Sequence, residues 1–325
     1  MRKIKHMISV LVIGIIMLFF VESKMVSSYL EQLKYESQLV HQSGPSLRQQ
    51  IKQEAKDRFI APKDAKIDRV WKAIPGYNGL KVDEKKSYQW MKKEGTFQES
   101  RLLYKQVPPK VHLKDLPPAP IYRGHPEKPM VSLAVNVAWG EEYLPEMLEV
   151  LKKHSIHATF FFEGQWVKKH PDLAKLIINA GHEGGNHSYT HPDMARLSEA
   201  RAKEEIEKTN SVIESAIGTR PQLFAPPSGS FTDATVEVAH QLGMQTILWT
   251  VDTIDWKKPT PDALINRVMS RIHPGAIILM HPTEASSASL DTLIKEIKAK
   301  QLKIDTVSNL LTETRIVSHT SSSSH

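Results

Sequence analysis

Gly181-His182-Glu183-Gly184-Gly185-Asn186-His187-Ser188-Tyr189-Thr190-His191-Pro192 sets two imidazoles four residues apart, at the end of a short strand loosened by glycine. On a helical turn, or in a tight loop, that spacing lets both rings face one divalent ion. A bare His-x-x-x-His is also a common surface pattern, so its meaning depends on the flanking chain. Just upstream, Pro171 suits the first turn of a helix, Leu173, Leu176, Ile177 and Ala180 line one face of it, and Gly181 stops it. Ala158-Thr159-Phe160-Phe161-Phe162 is the strand before that helix. Val131 to Val137 is a further strand, followed by Leu144, Met147, Leu148 and Leu151 at helical spacing. Downstream, a longer helix begins near Ser198, with Glu199 in its first turn, and ends at Gly218. Strands follow at Gln222 to Phe224, Gln245 to Val251 and Ala276 to Met280, and a last helix carries Leu290, Leu293, Ile294 and Ile297. Alternating strands and helices predict an α/β domain with a largely parallel sheet, closed or nearly closed into a barrel. In such barrels the chemistry sits at the carboxyl ends of the strands.

The rest of the 325 residues is organised around this domain. Arg2, Lys3 and Lys5 precede an apolar run from Met7 to Val21, the layout of a secretory signal or a short membrane anchor. If the run is retained, everything after Val21 lies outside the cytoplasmic membrane. Residues 29–60 are polar and helix-permissive. Between Ala61 and Leu103, Ile67, Val70, Trp71, Ile74, Tyr77, Leu80, Val82, Tyr88 and Trp90 suggest a small core, with sugar stacking as a second use of its Tyr and Trp rings. Seven prolines between Pro108 and Pro129 mark an extended linker. The expected division is a leader or anchor over 1–28, an accessory region over 29–106, the linker over 107–129, the α/β domain over 130–317 and a disordered Ser-rich tail over 318–325.

A formal charge of +7 suits an anionic neighbourhood such as a membrane surface or a charged wall polymer. No Lys/Arg run is interleaved with aromatics in the manner of a nucleic-acid module, so nucleic acid is not an expected partner. The absence of cysteine removes disulfides and thiol chemistry alike.

The special residues fall where the barrel rule puts them. His187 and His191, Pro226-Pro227-Ser228-Gly229, Asp252-Thr253-Ile254-Asp255-Trp256 and Leu279-Met280-His281 each follow a strand or end one. In order and spacing they resemble the NodB-homology domain of the polysaccharide deacetylases, carbohydrate esterase family 4, over about Pro129 to Val317. Within that family the chain is most similar to a divergent sporulation-associated branch, the YlxY type. The resemblance implies a distorted (β/α) barrel of the NodB type and metal-dependent hydrolysis of N-acetyl groups from N-acetylglucosamine-containing cell-wall or spore glycan. It makes His187 and His191 metal ligands, with zinc the expected ion and cobalt or manganese as alternatives. It makes His281 the general acid, Asp255 the carboxylate that orients it, and Trp256 and Leu279 the walls of the sugar groove, with Pro227 beside them. The backbone N–H near Ser228 would help to hold the oxyanion. Asp252 reads as a loop cap.

Three positions depart from the family pattern. Two adjacent aspartates, one the base and one the third ligand, would stand where the chain has Ala138 and Trp139 before Gly140, and the arginine that orients the base is Ala225. These losses are mutually consistent, since a buried arginine without its carboxylate is an unpaired cation costing about 3 to 5 kcal/mol. The retention of His187, His191, Asp255 and His281 argues that the site still acts. Three accounts follow. Glu141 or Glu142 swings in as a substitute base or ligand, or His281 serves as acid and base on a two-histidine metal site. In the third, the pocket binds glycan without cutting it.

Overall fold

The structure, a computed structural model, describes residues 24–42 and 45–316. The basic flank, the apolar run and the Ser-rich tail lie outside the described residues. Among the described helices, none is long and apolar enough to cross a membrane.

The chain forms two compact units. One takes the described residues up to Arg58 together with Val82–Tyr104, and the other takes Phe59–Lys81 and everything from Lys105 onward. The first contains helices α1 (Lys24–Gln42), α2 (Leu47–Asp57) and α3 (Glu84–Met91), and Ile51 of α2 and Met91 of α3 form a small core with Val82 and Leu102. Ser46 opens α2 with a capping box completed by Gln49. The residues expected to share one accessory core are thus divided. Ile74, Tyr77 and Leu80 are buried within the larger unit, whereas Val70 and Trp71 sit exposed in the turn between antiparallel strands β1 (Lys66–Asp68) and β2 (Lys72–Ile74). That turn is fixed by Asp68 Oδ1, which accepts the N–H groups of Val70 and Trp71.

The proline-rich stretch is docked rather than free. Ile121 N–H donates to Thr246 O at 2.8 Å, Leu248 N–H returns a bond to Ile121 O at 2.8 Å, and Gly124 N–H donates to Gly275 O at 2.8 Å. Prolines remove donors only at their own positions, so the residues between them remain able to pair. Lys128 closes the segment. Its buried ammonium donates to the carbonyls of Asn309, Leu310 and Thr312 and to Thr312 Oγ1.

Strand β3 (Met130–Val137) is buried along its whole length, as a central parallel strand covered on both faces must be. Around it run β4 (Thr159–Phe162), β5 (Glu183–Asn186), β6 (Leu223–Phe224), β7 (Gln245–Thr246), β8 (Val251–Asp252), β9 (Ile277–Met280) and β10 (Lys303–Ile304). The order is β8-β9-β3-β4-β5-β6-β7, with β10 also pairing with β3, and every pairing is parallel. The result is a curled half-barrel, an α/β fold as expected. The single strand anticipated over 245–251 is two, because residues 247–250 carry the chain from one edge of the sheet to the other. Helices α4 (Leu144–Lys153), α5 (Gly164–Lys169), α6 (Pro171–Asn179), α7 (Glu199–Ile217), α8 (Asp233–Gln241), α9 (Pro261–Met269) and α10 (Glu284–Ala299) join the strands, and α11 (Val307–Leu311) follows the last of them.

Side chains alternate along β3 and β4. Val131, Leu133, Val135, Phe160 and Phe162 share a core with Met147, Leu151, Leu290 and Leu293 of the covering helices, whereas Ala134 and Phe161 pack inside the curl with Leu223, Ala225 and Ile277. Gly185 is required opposite Phe161, since a Cβ there would lie 2.4 Å from its ring. By the same period, Asn136 and Ala138 follow Ala134 toward the mouth of the curl.

Two core histidines make the fold acid-sensitive. His182 Nδ1 accepts the N–H of Ala158 and His125 Nδ1 accepts that of Glu127, so both rings are held neutral, and burial pushes each pKa down to about 4. The unfolded chain takes up these protons near pH 6.5, so between pH 6.5 and 4 the unfolded state binds more of them and stability falls with pH. The expected loss is on the order of 2 kcal/mol per ring once solvent screening is allowed for. Urea midpoints at pH 7 and pH 4 measure it, and an unchanged midpoint contradicts the account.

Candidate functional site

Five strand ends supply the mouth of the half-barrel. After β5 the chain makes a tight loop, not a helical turn, in which Ser188 and His191 adopt φ of 61° and 54°. This doubly left-handed course brings the rings of His187 and His191 to 5.0 Å between centroids at 71°. The pairing anticipated from the four-residue spacing is present. His187 Nδ1 lies 2.7 Å from Ala225 O, and since a carbonyl only accepts, the proton is on Nδ1 and Nε2 is left as an acceptor. Burial, then the neighbouring His191, pushes the His187 pKa down to about 3, and burial lowers that of His191 as well. Both rings are therefore neutral at neutral pH.

The loop is held from behind by residues that the sequence reading did not single out. Glu205 of α7, buried, accepts the N–H groups of Tyr189 and Thr190 on Oε2 at 2.9 and 2.8 Å and the Thr190 hydroxyl on Oε1. Asn186 donates to Ile206 O and Asn210 Oδ1, while its Oδ1 accepts the N–H of Ser188. The only sequence signal was the position of Glu205 on the apolar face of α7, in register with Ala202, Ile206 and Thr209.

At the next wall, β9 ends and His281 follows. Its Nδ1 is 2.8 Å from Asp255 Oδ1 and its N–H donates to Asp255 Oδ2 at 2.6 Å. Asp255 is fully buried and also accepts the Ser286 hydroxyl, at 2.6 Å. The carboxylate therefore fixes the imidazole through Nδ1 and leaves Nε2 as an acceptor in the neutral ring. Asp252 caps its loop as anticipated, its Oδ1 accepting the N–H of Ile254 at 2.8 Å. Trp256 is exposed, with Lys257 Nζ 4.9 Å from its ring centroid. Leu279 is buried within β9, Pro227 is buried, and Ser228 is exposed at φ 54° in the short turn after β6.

At the end of β3, Ala138 and Trp139 bring no carboxylate to the mouth. The Trp139 ring instead lies parallel to that of His281, with centroids 5.8 Å apart and an interplanar angle of 8°. Gly140 follows at φ 81°, where a Cβ would meet Pro282 O at 2.0 Å, so the turn is closely set. Neither substitute carboxylate is with the histidine pair. Glu141 Oε1 sits 3.6 Å from His170 Nε2, and Glu142 lines a cavity of about 510 Å³ beside Trp139 and Trp256.

The chain is 50% identical over 305 residues to the uncharacterised protein YlxY of Bacillus subtilis strain 168, covering 92% of this chain and 96% of that one. Residues 123–247 match the polysaccharide deacetylase family. The chain belongs to that family. It is 32% identical to a peptidoglycan-N-acetylglucosamine deacetylase of Bacillus cereus, over 58% of this chain and 70% of that one. Among solved structures, it is similar to a carbohydrate esterase family 4 pseudoenzyme from Bacillus anthracis, at 53% identity and a TM-score of 0.79, covering 84% of this chain and 97% of that one. A mutant of that pseudoenzyme, described as having restored enzymatic activity, is similar at 52% identity and a TM-score of 0.79, over 84% of this chain and all of that one.

Polysaccharide deacetylases act through a divalent metal, so the donor set decides what this member can do. Among the described residues, no group of three or more His, Cys, Asp or Glu side chains is placed to hold a metal ion. His187 and His191 offer two nitrogens, whereas catalytic zinc takes three protein ligands. The residues present do not fit a catalytic metal centre.

Proposed function

We propose that this domain binds N-acetylglucosamine-containing wall glycan at the mouth of the half-barrel and that its hydrolytic step is disabled. The observation that carries this reading is the end of β3. The positions of base and third ligand hold Ala138 and Trp139; of the two carboxylates that follow, Glu141 faces His170 and Glu142 lines the cavity beside Trp139 and Trp256. What remains suits recognition. Asp255 takes the ring N–H of His281, which keeps Nε2 as an acceptor for a sugar hydroxyl or an acetamido N–H, and the exposed His191 lies beside the buried His187. The peptidoglycan deacetylase among the relatives supports the choice of glycan, and the carbohydrate esterase pseudoenzyme supports the loss of the hydrolytic step. The basic flank and apolar run of residues 2–21, with the formal charge of +7, support a place outside the cytoplasmic membrane, tethered there or released.

The test is calorimetric titration of the purified chain with an N-acetylglucosamine tetramer, paired with an acetate assay in the presence of zinc. Binding is expected, with acetate at the level of the blank. Acetate release that disappears in His281→Ala would make the protein a working hydrolase. Failure to bind the tetramer and peptidoglycan fragments alike would remove the glycan reading.

A further inference from the structure

We propose that the cavity beside Trp139 is a saccharide subsite, in which the Trp139 indole is the platform for one pyranose ring of the glycan. The inference rests on the glycan-binding reading above and adds a residue and a place to it.

Trp139 is 46% exposed and Trp256 54%, and both line the same cavity. Large aromatic side chains facing one cavity from two different loops need an explanation, because each keeps apolar surface in water until something covers it. The cavity volume of about 510 Å³ lies within the range of small-molecule sites. Its aromatic walls are interspersed with Glu142, Lys258 and Glu284, whose charged tips are donors and acceptors for ring hydroxyls, and Tyr143 contributes a third aromatic ring. An apolar face bordered by hydrogen-bonding groups is the complement of a pyranose, which presents C–H bonds on its faces and hydroxyls around its edge. Carboxylates and ammonium are both present, which suits a neutral sugar better than a strongly charged ligand.

Trp139 is also held still. Its ring stacks in parallel on His281, His281 is fixed by the buried Asp255, and Gly140 sets the turn that follows against Pro282. A platform fixed before the ligand arrives loses little side-chain entropy on binding. The aspartate of the family pattern has neither the area nor the flat face for this. The replacement that removes a metal ligand therefore supplies a stacking surface at the same mouth.

Titration with the N-acetylglucosamine tetramer tests the proposal through three variants. Trp139→Ala should weaken binding ten- to hundredfold, and Trp139→Phe should restore it to within about threefold of the parent. Ala288→Phe, on the exposed face of α10 that borders the cavity, should weaken binding at least tenfold by filling the cavity while both indoles are kept. Affinity unchanged within twofold in Trp139→Ala, or in Ala288→Phe, would overturn the subsite while leaving the glycan reading intact. Absence of binding by the parent chain would overturn both.

Discussion

Ala138→Asp, Trp139→Asp and Ala225→Arg, made together, are expected to release acetate from acetylated chitooligosaccharide in the presence of zinc, at a rate ~10² to 10⁴ above the parent chain. The span is the usual worth of a general base. The three changes belong together for physical reasons. Asp at 139 gives the two imidazoles a third donor and brings the count to that of a catalytic zinc site. Asp at 138 supplies the base, on the face of β3 that Ala134 and Asn136 already turn into the curl. Ala225 is 3% exposed, so an arginine there is buried and needs the new carboxylate. Ala225→Arg alone should therefore cost about 3 to 5 kcal/mol, and adding Ala138→Asp should recover most of it. Denaturation midpoints of the two single variants and the double variant give the coupling, and metal content of the triple variant gives the ligand count. A triple variant that holds zinc and releases no acetate would show that the retained histidines are no longer arranged for the reaction.

Much of this fold was legible because parallel strands are written as uninterrupted apolar runs. Val131 to Val137 and Phe160 to Phe162 read directly as β3 and β4, and the helix between Ser198 and Gly218 was bounded by its own capping residues. The stretch from 245 to 251 misled because periodicity cannot show that an apolar run crosses from one sheet edge to the other. The proline-rich stretch misled because prolines advertise extension and say nothing about what the residues between them pair with; Lys128, a charged residue in that stretch, is buried on carbonyls more than 180 positions away. At the site, the histidine pair and the His281–Asp255 pair were readable from type and order. The left-handed backbone that brings His187 and His191 together, and the Glu205 clamp beneath it, depend on contacts between separate segments and leave no local mark. The stacking of Trp139 on His281 was equally out of reach, since the sequence shows only which residue stands at 139 and not what its ring touches.

Asp255→Ala is expected to destabilise the larger unit by about 3 to 5 kcal/mol, far more than the loss of a catalytic partner would require. Its carboxylate is wholly buried and accepts from the His281 backbone N–H, the His281 ring and the Ser286 hydroxyl, so it ties the loop after β8 to the end of β9 and to the first turn of α10. The N-terminus of α10 adds a favourable dipole to the negative charge there. Removing the carboxylate leaves three donors without their acceptor at once, the Ser286 hydroxyl buried and the two His281 groups partly so, and a buried donor costs about 1 to 3 kcal/mol when left unpaired. Asp255→Asn, which keeps the shape and part of the acceptor capacity, should lose about half as much. His281→Ala, whose side chain is partly exposed, should lose least of the three. Urea denaturation at pH 7 ranks them. This order bears on why Asp255 persists beside Ala138 and Trp139: a residue that joins three segments is retained for folding whether or not the site cuts anything. The survival of Asp255 is therefore weak testimony to hydrolysis, and the stronger testimony to continued use comes from His187 and His191. Should His281→Ala prove as damaging as Asp255→Ala, the carboxylate serves mainly the imidazole, and its retention would count toward chemistry after all.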